Sequence, residues 1–429
     1  MLNYNVSLTG KTVLVTGVAG FIGSNLAQRL LQEIADVRVV GIDNMNDYYD
    51  VRLKEERLKK LSGHESFVFV KGDIADKQTI ITLFNEYKPQ IVVNLAAQAG
   101  VRYSITNPDA YVSSNLIGFY NILEACRRSY DNGQSGVEHL VYASSSSVYG
   151  SNQKVPYSTD DKVDNPVSLY AATKKSNELM AHAYSKLYNI PSTGLRFFTV
   201  YGPAGRPDMA YFGFTNKLVK GETIRIFNYG NCKRDFTYID DIVEGVMRVM
   251  QHAPERLTGE DGLPVPPYTL YNIGNNHPEN LLDFVTILQE ELVRAGVLPA
   301  DYDFDGHKEL VPMQPGDVPV TYADTTPLET DFGFKPSTLL REGLRKFAEW
   351  YMKYKRRTMK YIPIYTILKT EISFKIEKYD IIRDERNILP NIEFHEEKEA
   401  KEYCKKMNEE AYREMGDDDL NALLLETNS

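Results

Sequence analysis

Cysteine is scarce in this chain of 429 residues, and its three copies are scattered. Cys126, Cys232 and Cys404 stand far apart and in no paired motif. That pattern excludes a disulfide scaffold and a cysteine-rich zinc site. The histidines include no His-x-x-His or His-Glu-x-x-His pair, so no metal site is predicted.

Long apolar runs and clustered basic charge are also missing. No stretch approaches about 18 uninterrupted apolar residues, and residues 1–10 lack the features of a signal peptide. The formal net charge of −10 argues against bulk electrostatic binding to nucleic acid or to an anionic membrane. We therefore expect a cytoplasmic protein with no nucleic acid or membrane partner, in which local arginines could still hold a small anionic substrate.

Apolar residues are plentiful enough for a large core, at 42% of the chain. Short apolar runs alternate with amphipathic helical stretches, the first of which covers 21–34. The predicted strands cover 11–16, 37–42, 67–70, 91–95, 139–143 and 192–197. Strands of this length separated by helices predict an α/β fold, a doubly wound parallel sheet covered on both faces.

Residues 17–23, Gly-Val-Ala-Gly-Phe-Ile-Gly, lie between a predicted strand and a predicted helix. Glycines at this spacing permit a tight turn and close approach to a pyrophosphate, and a plain structural turn is the alternative. Asp43 ends the second strand, where an acid accepts hydrogen bonds from the adenosine ribose. Because no arginine follows Asp43 directly to meet a 2′-phosphate, NAD is favoured over NADP. The predicted cofactor-binding residues of the turn and the strand ends are Gly17, Gly20, Phe21, Ile22, Gly23, Asp43, Asn44, Asp73, Ile74, Leu95, Ala96, Ala97 and Gln98.

Tyr170 and Lys174 form a Tyr-x-x-x-Lys pair, which helical spacing puts on one face. Four serines, 144–147, follow the preceding strand, where a polar turn is the alternative interpretation. The lysine charge and a positive nicotinamide would lower the pKa of the phenol and make Tyr170 a usable base. A serine would hydrogen-bond the same substrate hydroxyl. Removing its proton while a hydride leaves for the nicotinamide gives a ketone.

Several long strings resemble the extended short-chain dehydrogenase/reductases, and among them the UDP-glucuronate 4-epimerases. The strings are GIDNMNDYYD (41–50), AAQAGVRYS (96–104), LRFFTVYGP (195–203), GRPDMA (205–210), KRDFTYIDD (233–241), YNIGN (271–275) and PGDV (315–318). The resemblance runs from about residue 11 to residue 354 and leaves the tail uncovered.

This resemblance implies NAD-dependent 4-epimerisation of UDP-glucuronate to UDP-galacturonate. Oxidation at C4 of the sugar would give a 4-keto intermediate, which swings within the site and takes the hydride back on its opposite face. By likeness, Tyr170 is the base, Lys174 holds its pKa and the nicotinamide ribose, and Ser145 is the neighbouring hydroxyl. Ser146 and Ser147 could share that role, and the register of the serine run stays open by one residue.

The serine run also separates epimerisation from related eliminations. Sugar-nucleotide 4,6-dehydratases resemble Ser-Thr-Asp-Glu-Val-Tyr-Gly at this point, and UDP-glucuronate decarboxylases have a Glu just before Val-Tyr-Gly. Elimination needs a carboxylate to move the extra protons. This chain has Ser146 and Ser147 instead, which favours simple epimerisation.

The resemblance implies four further substrate contacts. Arg206 is the expected bidentate partner of the sugar carboxylate, which it would hold near the ring plane with the help of Thr199, where decarboxylation is disfavoured. Arg234 resembles the diphosphate ligand, and Asp317 resembles the uridine ribose ligand. Gln314 replaces the usual basic residue beside Pro-Gly-Asp, which argues against a glucose-type substrate.

Two other kinds of function are compatible with the sequence. The alternatives are a 4-epimerase of UDP-glucose or of a UDP-N-acetylhexosamine, and a non-catalytic NAD-binding scaffold that recruits a partner through its tail. The expected partners are a UDP-sugar and a second copy of the chain. The resemblance implies that this homodimer forms through helices near 107–127 and 169–188.

The composition also predicts domain boundaries, because Gly, Pro and aromatic residues become frequent after about residue 202. We assign a Rossmann-type NAD-binding domain to 1–190 with a contribution from 237–275, and a smaller substrate-binding domain to 191–236 and 276–354. Residues 355–429 are an appended α+β module, in which 372–376 alternates like a strand and 396–415 has a charged helical pattern. The acidic tail is expected to be a solvated helix and linker, or a partner-binding element.

Overall fold

The computed structural model describes residues 4–313, 320–358, 363–369, 374–380, 385–394 and 396–413. Its strands are β1 (Thr12–Thr16), β2 (Arg38–Asp43), β3 (Phe67–Lys71), β4 (Ile91–Asn94), β5 (His139–Ser145), β6 (Ser192–Phe197), β7 (Thr199–Tyr201), β8 (Ile224–Ile226), β9 (Lys233–Tyr238), β10 (Leu257–Thr258), β11 (Pro264–Val265), β12 (Tyr268–Ile273), β13 (Pro278–Asn280), β14 (Lys308–Leu310), β15 (Val320–Thr321), β16 (Pro363–Lys369), β17 (Phe374–Asp380) and β18 (Glu385–Phe394). Its α-helices are α1 (Phe21–Glu33), α2 (Val51–Leu61), α3 (Lys77–Tyr87), α4 (Tyr103–Thr106), α5 (Pro108–Tyr111), α6 (Phe119–Arg128), α7 (Leu169–Tyr188), α8 (Ala210–Val219), α9 (Ile239–Met250), α10 (Leu281–Arg294), α11 (Thr326–Phe332), α12 (Leu340–Thr358) and α13 (Glu397–Arg413).

Seven strands form one parallel sheet in the order β3-β2-β1-β4-β5-β6-β12. The six predicted strands are all present, and the predicted doubly wound parallel fold is confirmed. Every residue of β4 and of β6 is buried, as expected for strands covered on both faces. Leu14, Val40, Val92 and Leu140 come from four adjacent strands and belong to one fully buried cluster.

The strand order reverses between β1 and β4, which opens a crevice at the carboxyl ends of these strands. A side-chain link holds the two strands together at this end. Thr16 Oγ1 donates to Asn94 Oδ1 at 2.7 Å, and the N–H of Ala96 donates to Thr16 Oγ1 at 3.0 Å. The floor of the crevice is therefore fixed by side chains as well as by the backbone ladder.

The helix expected near 107–127 is interrupted. A π-helical stretch, Val112–Gly118, separates α5 from α6. Within it, Asn115 Nδ2 donates to Thr173 Oγ1 on α7 at 3.0 Å, and Asn115 Oδ1 accepts from the N–H of Gln98 at 2.8 Å. The altered turn therefore presents Asn115 to both α7 and the segment after β4.

The described residues form two compact units. The first comprises the described residues of 1–212, 226–287 and 310–344, and contains the seven-stranded sheet. The second comprises 213–225, 288–309 and the described residues from 345 onward. It contains the antiparallel sheet β16-β17-β18, against which α13 packs. Among the described residues, no helix is both long enough and apolar enough to cross a bilayer.

Candidate active site

A cavity lies at the carboxyl ends of the central strands, within the first unit. Its lining includes all of the predicted cofactor-binding residues: Gly17, Gly20, Phe21, Ile22, Gly23, Asp43, Asn44, Asp73, Ile74, Leu95, Ala96, Ala97, Gln98, Tyr170 and Lys174. Ser145 and Arg206 line the same cavity. The structure thus brings the glycine-rich segment, the tyrosine–lysine pair and one candidate substrate ligand into a single site.

The glycine-rich segment makes a sharp turn, and the backbone around its glycines leaves no room for a side chain. Gly17 has φ 69°, and a Cβ there would lie 2.9 Å from the backbone N of Ala96. A Cβ on Gly23 would collide with the carbonyl oxygen of Gly17. Gly20 caps α1 without a side-chain hydrogen bond, so the helix begins with free N–H groups. This arrangement fits the diphosphate of a dinucleotide.

Asp43 is the last residue of β2 and contacts the glycine-rich segment. Its Oδ2 accepts from the N–H of Ala19 at 3.2 Å, and its Oδ1 accepts from the N–H of Met45 at 2.9 Å. Asn44 Nδ2 donates to Asp73 Oδ2 at 3.0 Å, which joins the ends of β2 and β3. Carboxylate oxygens held at this edge suit the hydroxyls of an adenosine ribose.

Tyr170 and Lys174 lie on the first turns of α7. Ser168 caps this helix by accepting from the N–H of Ala171 at 3.1 Å. Tyr170 shares a side-chain hydrogen bond with Ser145, and Lys174 Nζ donates to the carbonyl oxygen of Ala143 at 2.8 Å. Both side chains are therefore held against the end of β5.

Burial opposes the charged form of each member of this pair. Burial raises the pKa of Tyr170, while the hydrogen bond with Ser145 and the charge of Arg206 act in the opposite direction. Burial lowers the pKa of Lys174 to about 8. The expected lowering of the tyrosine pKa concerns the site with NAD bound, and it stays a prediction.

The four serines have different partners. Ser144 Oγ donates to Glu178 Oε1 at 2.6 Å, so its hydroxyl is taken up inside the protein. Ser145 contacts Tyr170 and lies 2.5 Å from Ser147, oxygen to oxygen. Ser146 and Ser147 belong to a 3₁₀ turn, Ser146–Tyr149, and lie outside the described cavity lining. Ser144 and Ser145 line the cavity, and Ser145 is the one that interacts with Tyr170.

Arg206 reaches the cavity already paired with Asp208. Its Nε donates to Asp208 Oδ1 at 3.0 Å, and its Nη2 donates to Asp208 Oδ2 at 2.5 Å. Tyr48 also donates to Asp208 Oδ2, at 3.1 Å. Burial, with a contribution from Asp208, raises the pKa of Tyr48 to about 12, which keeps this phenol a donor. One edge of the guanidinium is thereby fixed.

The structure does not place the other predicted substrate residues in the described cavity lining. Thr199 opens β7 opposite Phe236, and Arg234 lies on β9 opposite Thr321. Neither belongs to the described lining of the cavity. Asp317 and Gln314 lie outside the described residues.

Several lining residues escaped the sequence prediction. Tyr48, Tyr49 and Lys54 follow β2, and Met209 follows Arg206. Burial lowers the pKa of Lys54, whose Nζ lies 3.8 Å from Asp43 Oδ1. Tyr48 and Tyr49 belong to the string 41–50, so the family resemblance could have identified them. No sequence feature identifies Lys54, because its helix has lysines on its exposed face as well.

The chain matches a protein-family model over residues 13–274, and the family is described as the NAD dependent epimerase/dehydratase family. Protein CapI of Staphylococcus aureus is 49% identical over 351 residues, which cover 80% of this chain and 99% of that protein. UDP-glucuronate 4-epimerase 4 of Arabidopsis thaliana is 47% identical over 352 residues, which cover 80% of this chain and 76% of that protein.

A similar structure has also been solved. A UDP-glucuronic acid 4-epimerase from Bacillus cereus, crystallised in complex with UDP-glucuronic acid and NAD, matches with a TM-score of 0.67 at 31% sequence identity. The match covers 80% of this chain and 99% of that chain.

Proposed function

The chain belongs to the NAD dependent epimerase/dehydratase family, and from this premise we propose that it epimerises UDP-glucuronate at C4 to UDP-galacturonate. It is an epimerase, and NAD is its cofactor. The observation that carries the proposed substrate is the position of Arg206, a guanidinium lining the cavity that also contains Tyr170 and the glycine turn. A guanidinium is the natural partner of a sugar carboxylate.

The residues that would hold NAD are the lining residues of the turn and the strand ends. Gly17, Gly20 and Gly23 leave space for the diphosphate, and Asp43 would accept from the adenosine ribose. When bound, NAD supplies the hydride acceptor and donor of the reaction. The aliphatic and small residues at the end of β4 border the same space.

Tyr170 would manage the proton of the reacting hydroxyl. Its oxygen takes the proton of the C4 hydroxyl as the 4-keto sugar forms, and returns it once the ketone has presented its opposite face. Ser145 hydrogen-bonds Tyr170 and would bond the same substrate oxygen. The Lys174 ammonium stabilises the phenolate by its positive charge.

Arg206 would hold the substrate carboxylate near the ring plane, with Thr199 as the accompanying hydroxyl. A 4-keto uronate is a β-keto acid, and this orientation disfavours loss of CO2. Ser146 and Ser147 supply no carboxylate to the serine turn, which supports epimerisation over elimination. Arg234 and Asp317 are proposed to bind the diphosphate and the uridine ribose. We also propose a cytoplasmic homodimer.

One observation favours a neutral substrate as the second candidate. Asp208 already occupies one edge of the Arg206 guanidinium and partly cancels its charge. If that pairing persisted with substrate bound, UDP-glucose or a UDP-N-acetylhexosamine would fit without a carboxylate. The two candidates differ in which sugar nucleotide is turned over.

The test is to incubate the purified protein with UDP-glucuronate and no added NAD, and to separate the products by anion exchange. UDP-galacturonate forming to an equilibrium mixture is the expected result. Tyr170→Phe should slow conversion by at least about 10²-fold, because the proton-transfer group is lost. Tyr188→Phe makes the same change at the far end of α7 and serves as the matched control.

Other outcomes would redirect the proposal. No conversion of UDP-glucuronate after NAD is supplied, with turnover of UDP-glucose, would establish the neutral-sugar alternative. A UDP-pentose product would show that the serine turn permits decarboxylation. Retained NAD without turnover of any sugar nucleotide would favour the non-catalytic scaffold.

A further inference from the structure

Arg57 is a buried arginine near the candidate site, and the proposed mechanism gives its side chain no role. It belongs to α2 and is 2% exposed. Its guanidinium donates five hydrogen bonds, all of them to uncharged carbonyl or phenol oxygens. A buried charge is retained at a cost, so its position calls for an explanation.

The bonds of Arg57 join two segments that are far apart in sequence. Its Nη1 donates to the carbonyl oxygen of Ala19, inside the glycine turn, at 2.9 Å. Its Nε and Nη2 donate to the carbonyl oxygen of Ala204 at 3.0 and 2.7 Å, and Nη2 also donates to that of Gly205 at 3.0 Å. Arg206 follows immediately. One side chain thus spans the cofactor turn and the backbone that presents the substrate arginine.

The backbone that Arg57 grips has an unfavourable conformation. Ala204 has φ 54°, in the left-handed region that a residue with a Cβ rarely adopts. Two hydrogen bonds from the guanidinium end on its carbonyl oxygen. They hold that carbonyl in the orientation that the left-handed residue requires, and so define the path of the chain into Arg206.

Tyr49 connects the same guanidinium to the cavity. Its phenol oxygen accepts from Arg57 Nη1 at 2.7 Å, and the centre of its ring lies 5.5 Å from the Arg57 guanidinium carbon. Lys54 Nζ lies 5.2 Å from the centre of the same ring, and Tyr49 lines the cavity. Because the oxygens bound by Arg57 are uncharged, its positive charge also adds to the attraction for anions at both segments.

We propose that Arg57 is a positioning residue that holds the glycine turn and the Arg206 segment in one arrangement, so that cofactor retention and uronate binding depend on the same side chain. The uronate part of this proposal rests on the proposed function, whereas the cofactor part does not. Arg57 acts through the backbone of Ala19, Ala204 and Gly205 and leaves the proton chemistry at Tyr170 unchanged.

The test compares Arg57→Gln and Arg57→Lys with the unaltered protein. NAD that copurifies is released with acid and counted per chain, and the KM for UDP-glucuronate is measured with NAD in excess. Arg57→Gln should lose most of its copurified NAD and raise that KM by about tenfold or more, with kcat changed far less. Arg57→Lys keeps the charge but cannot span the same oxygens, so it should rescue only part of the loss.

Arg52→Gln is the matched control, because Arg52 belongs to the same helix and its side chain is 65% exposed. It should retain NAD and KM. A lower melting temperature in the Arg57 variants with unchanged NAD content and KM would overturn the proposal, because that result describes a purely structural arginine. If the protein does not turn over UDP-glucuronate, loss of copurified NAD still decides the cofactor part.

A measurement on the unaltered chain guards against variants that fail to fold. Amide hydrogen exchange of residues 204–206 should slow when NAD is added to cofactor-free protein, because the turn and this segment share Arg57. Exchange of 204–206 that is indifferent to NAD would overturn the coupling.

Discussion

At the scale of single residues, the site depends on charges that burial disfavours. Tyr170 and Lys174 are both shifted toward their neutral forms, yet the proposed chemistry needs a phenolate beside an ammonium. Their mutual attraction and the positive nicotinamide therefore have to outweigh the loss of solvation. Removing NAD should leave Tyr170 a poor base.

Arg206 is the residue on which we expect substrate selectivity to depend. Arg206→Ala should reduce the preference for UDP-glucuronate over UDP-glucose by about 10- to 100-fold, since a charged hydrogen-bonded partner of the carboxylate is lost. The measurement is the ratio of kcat/KM for the two substrates. Arg225→Ala removes an exposed arginine and should leave that ratio unchanged. An unchanged ratio in Arg206→Ala would contradict the assignment.

His139 makes stability depend on pH. Its Nδ1–H donates to the carbonyl oxygen of Met250, its Nε2 accepts from Thr193, and burial lowers its pKa to about 4. An unfolded histidine titrates near 6.5, so the unfolded chain binds the proton first as pH falls. The free energy of unfolding should decrease between about pH 6.5 and 4, by at most about 1.4 kcal/mol per pH unit from this group.

Urea unfolding at several pH values checks this expectation. The stability difference between the unaltered chain and His139→Gln should shrink as pH falls through this window. His277→Gln, a change at an exposed histidine, is measured alongside as the control. A difference for His139→Gln that stays constant from pH 7 to about 4.5 would refute the argument.

At the scale of elements, α7 has one face directed toward the site and one exposed apolar face. Its inner face presents Tyr170, Lys174 and Glu178, and Glu178 accepts from Arg196 at 2.8 and 2.9 Å as well as from Ser144. That buried network ties β5, β6 and α7 together behind the reacting groups. On the other face, Leu179 and Leu187 are 61% and 70% exposed.

The exposed face of α7 supports the proposed homodimer. Ile105 and Ile117, from the neighbouring segment, are 77% and 49% exposed. Exposed apolar side chains gathered on neighbouring elements suit a self-complementary interface. Leu179→Glu with Leu187→Glu should convert a dimer to a monomer in sedimentation velocity at micromolar concentration, because burying two carboxylates is costly.

The matched control for this interface is Leu339→Glu. Leu339 is 74% exposed and lies in a different part of the chain. The control should sediment like the unaltered protein. An unaltered chain that is already monomeric at micromolar concentration would rule the dimer out.

At the scale of the whole molecule, the described site belongs to the first compact unit. Its lining residues all fall between Gly17 and Met209. The sheet β16-β17-β18 and α13 belong to the second unit and contribute none of the described lining residues.

Ending the chain after Thr358 tests the appended module. We expect the shortened protein to retain copurified NAD and to convert UDP-glucuronate at a rate within about threefold of the full chain, because the candidate residues precede the cut. NAD content and initial rates are compared side by side. Loss of NAD in a shortened chain that remains folded by circular dichroism would assign the module a role in the site.

The sequence by itself determined the features that depend on neighbours along the chain. The apolar runs predicted six strands of the sheet because a buried parallel strand needs an apolar residue at nearly every position. The spacing of Gly17, Gly20 and Gly23 defined the turn, and helical periodicity put Tyr170 beside Lys174. Each of these inferences needs only backbone geometry over a few residues.

Only the tertiary structure decided which distant side chains meet. The partners of the serine run depend on Glu178 and Tyr170, which come from another element. The pairing of Tyr48 with Asp208 depends on segments far apart in sequence, as does the contact of Arg57 with the backbone before Arg206. Such contacts follow from how helices and loops pack on the sheet, and local spacing carries no record of that packing.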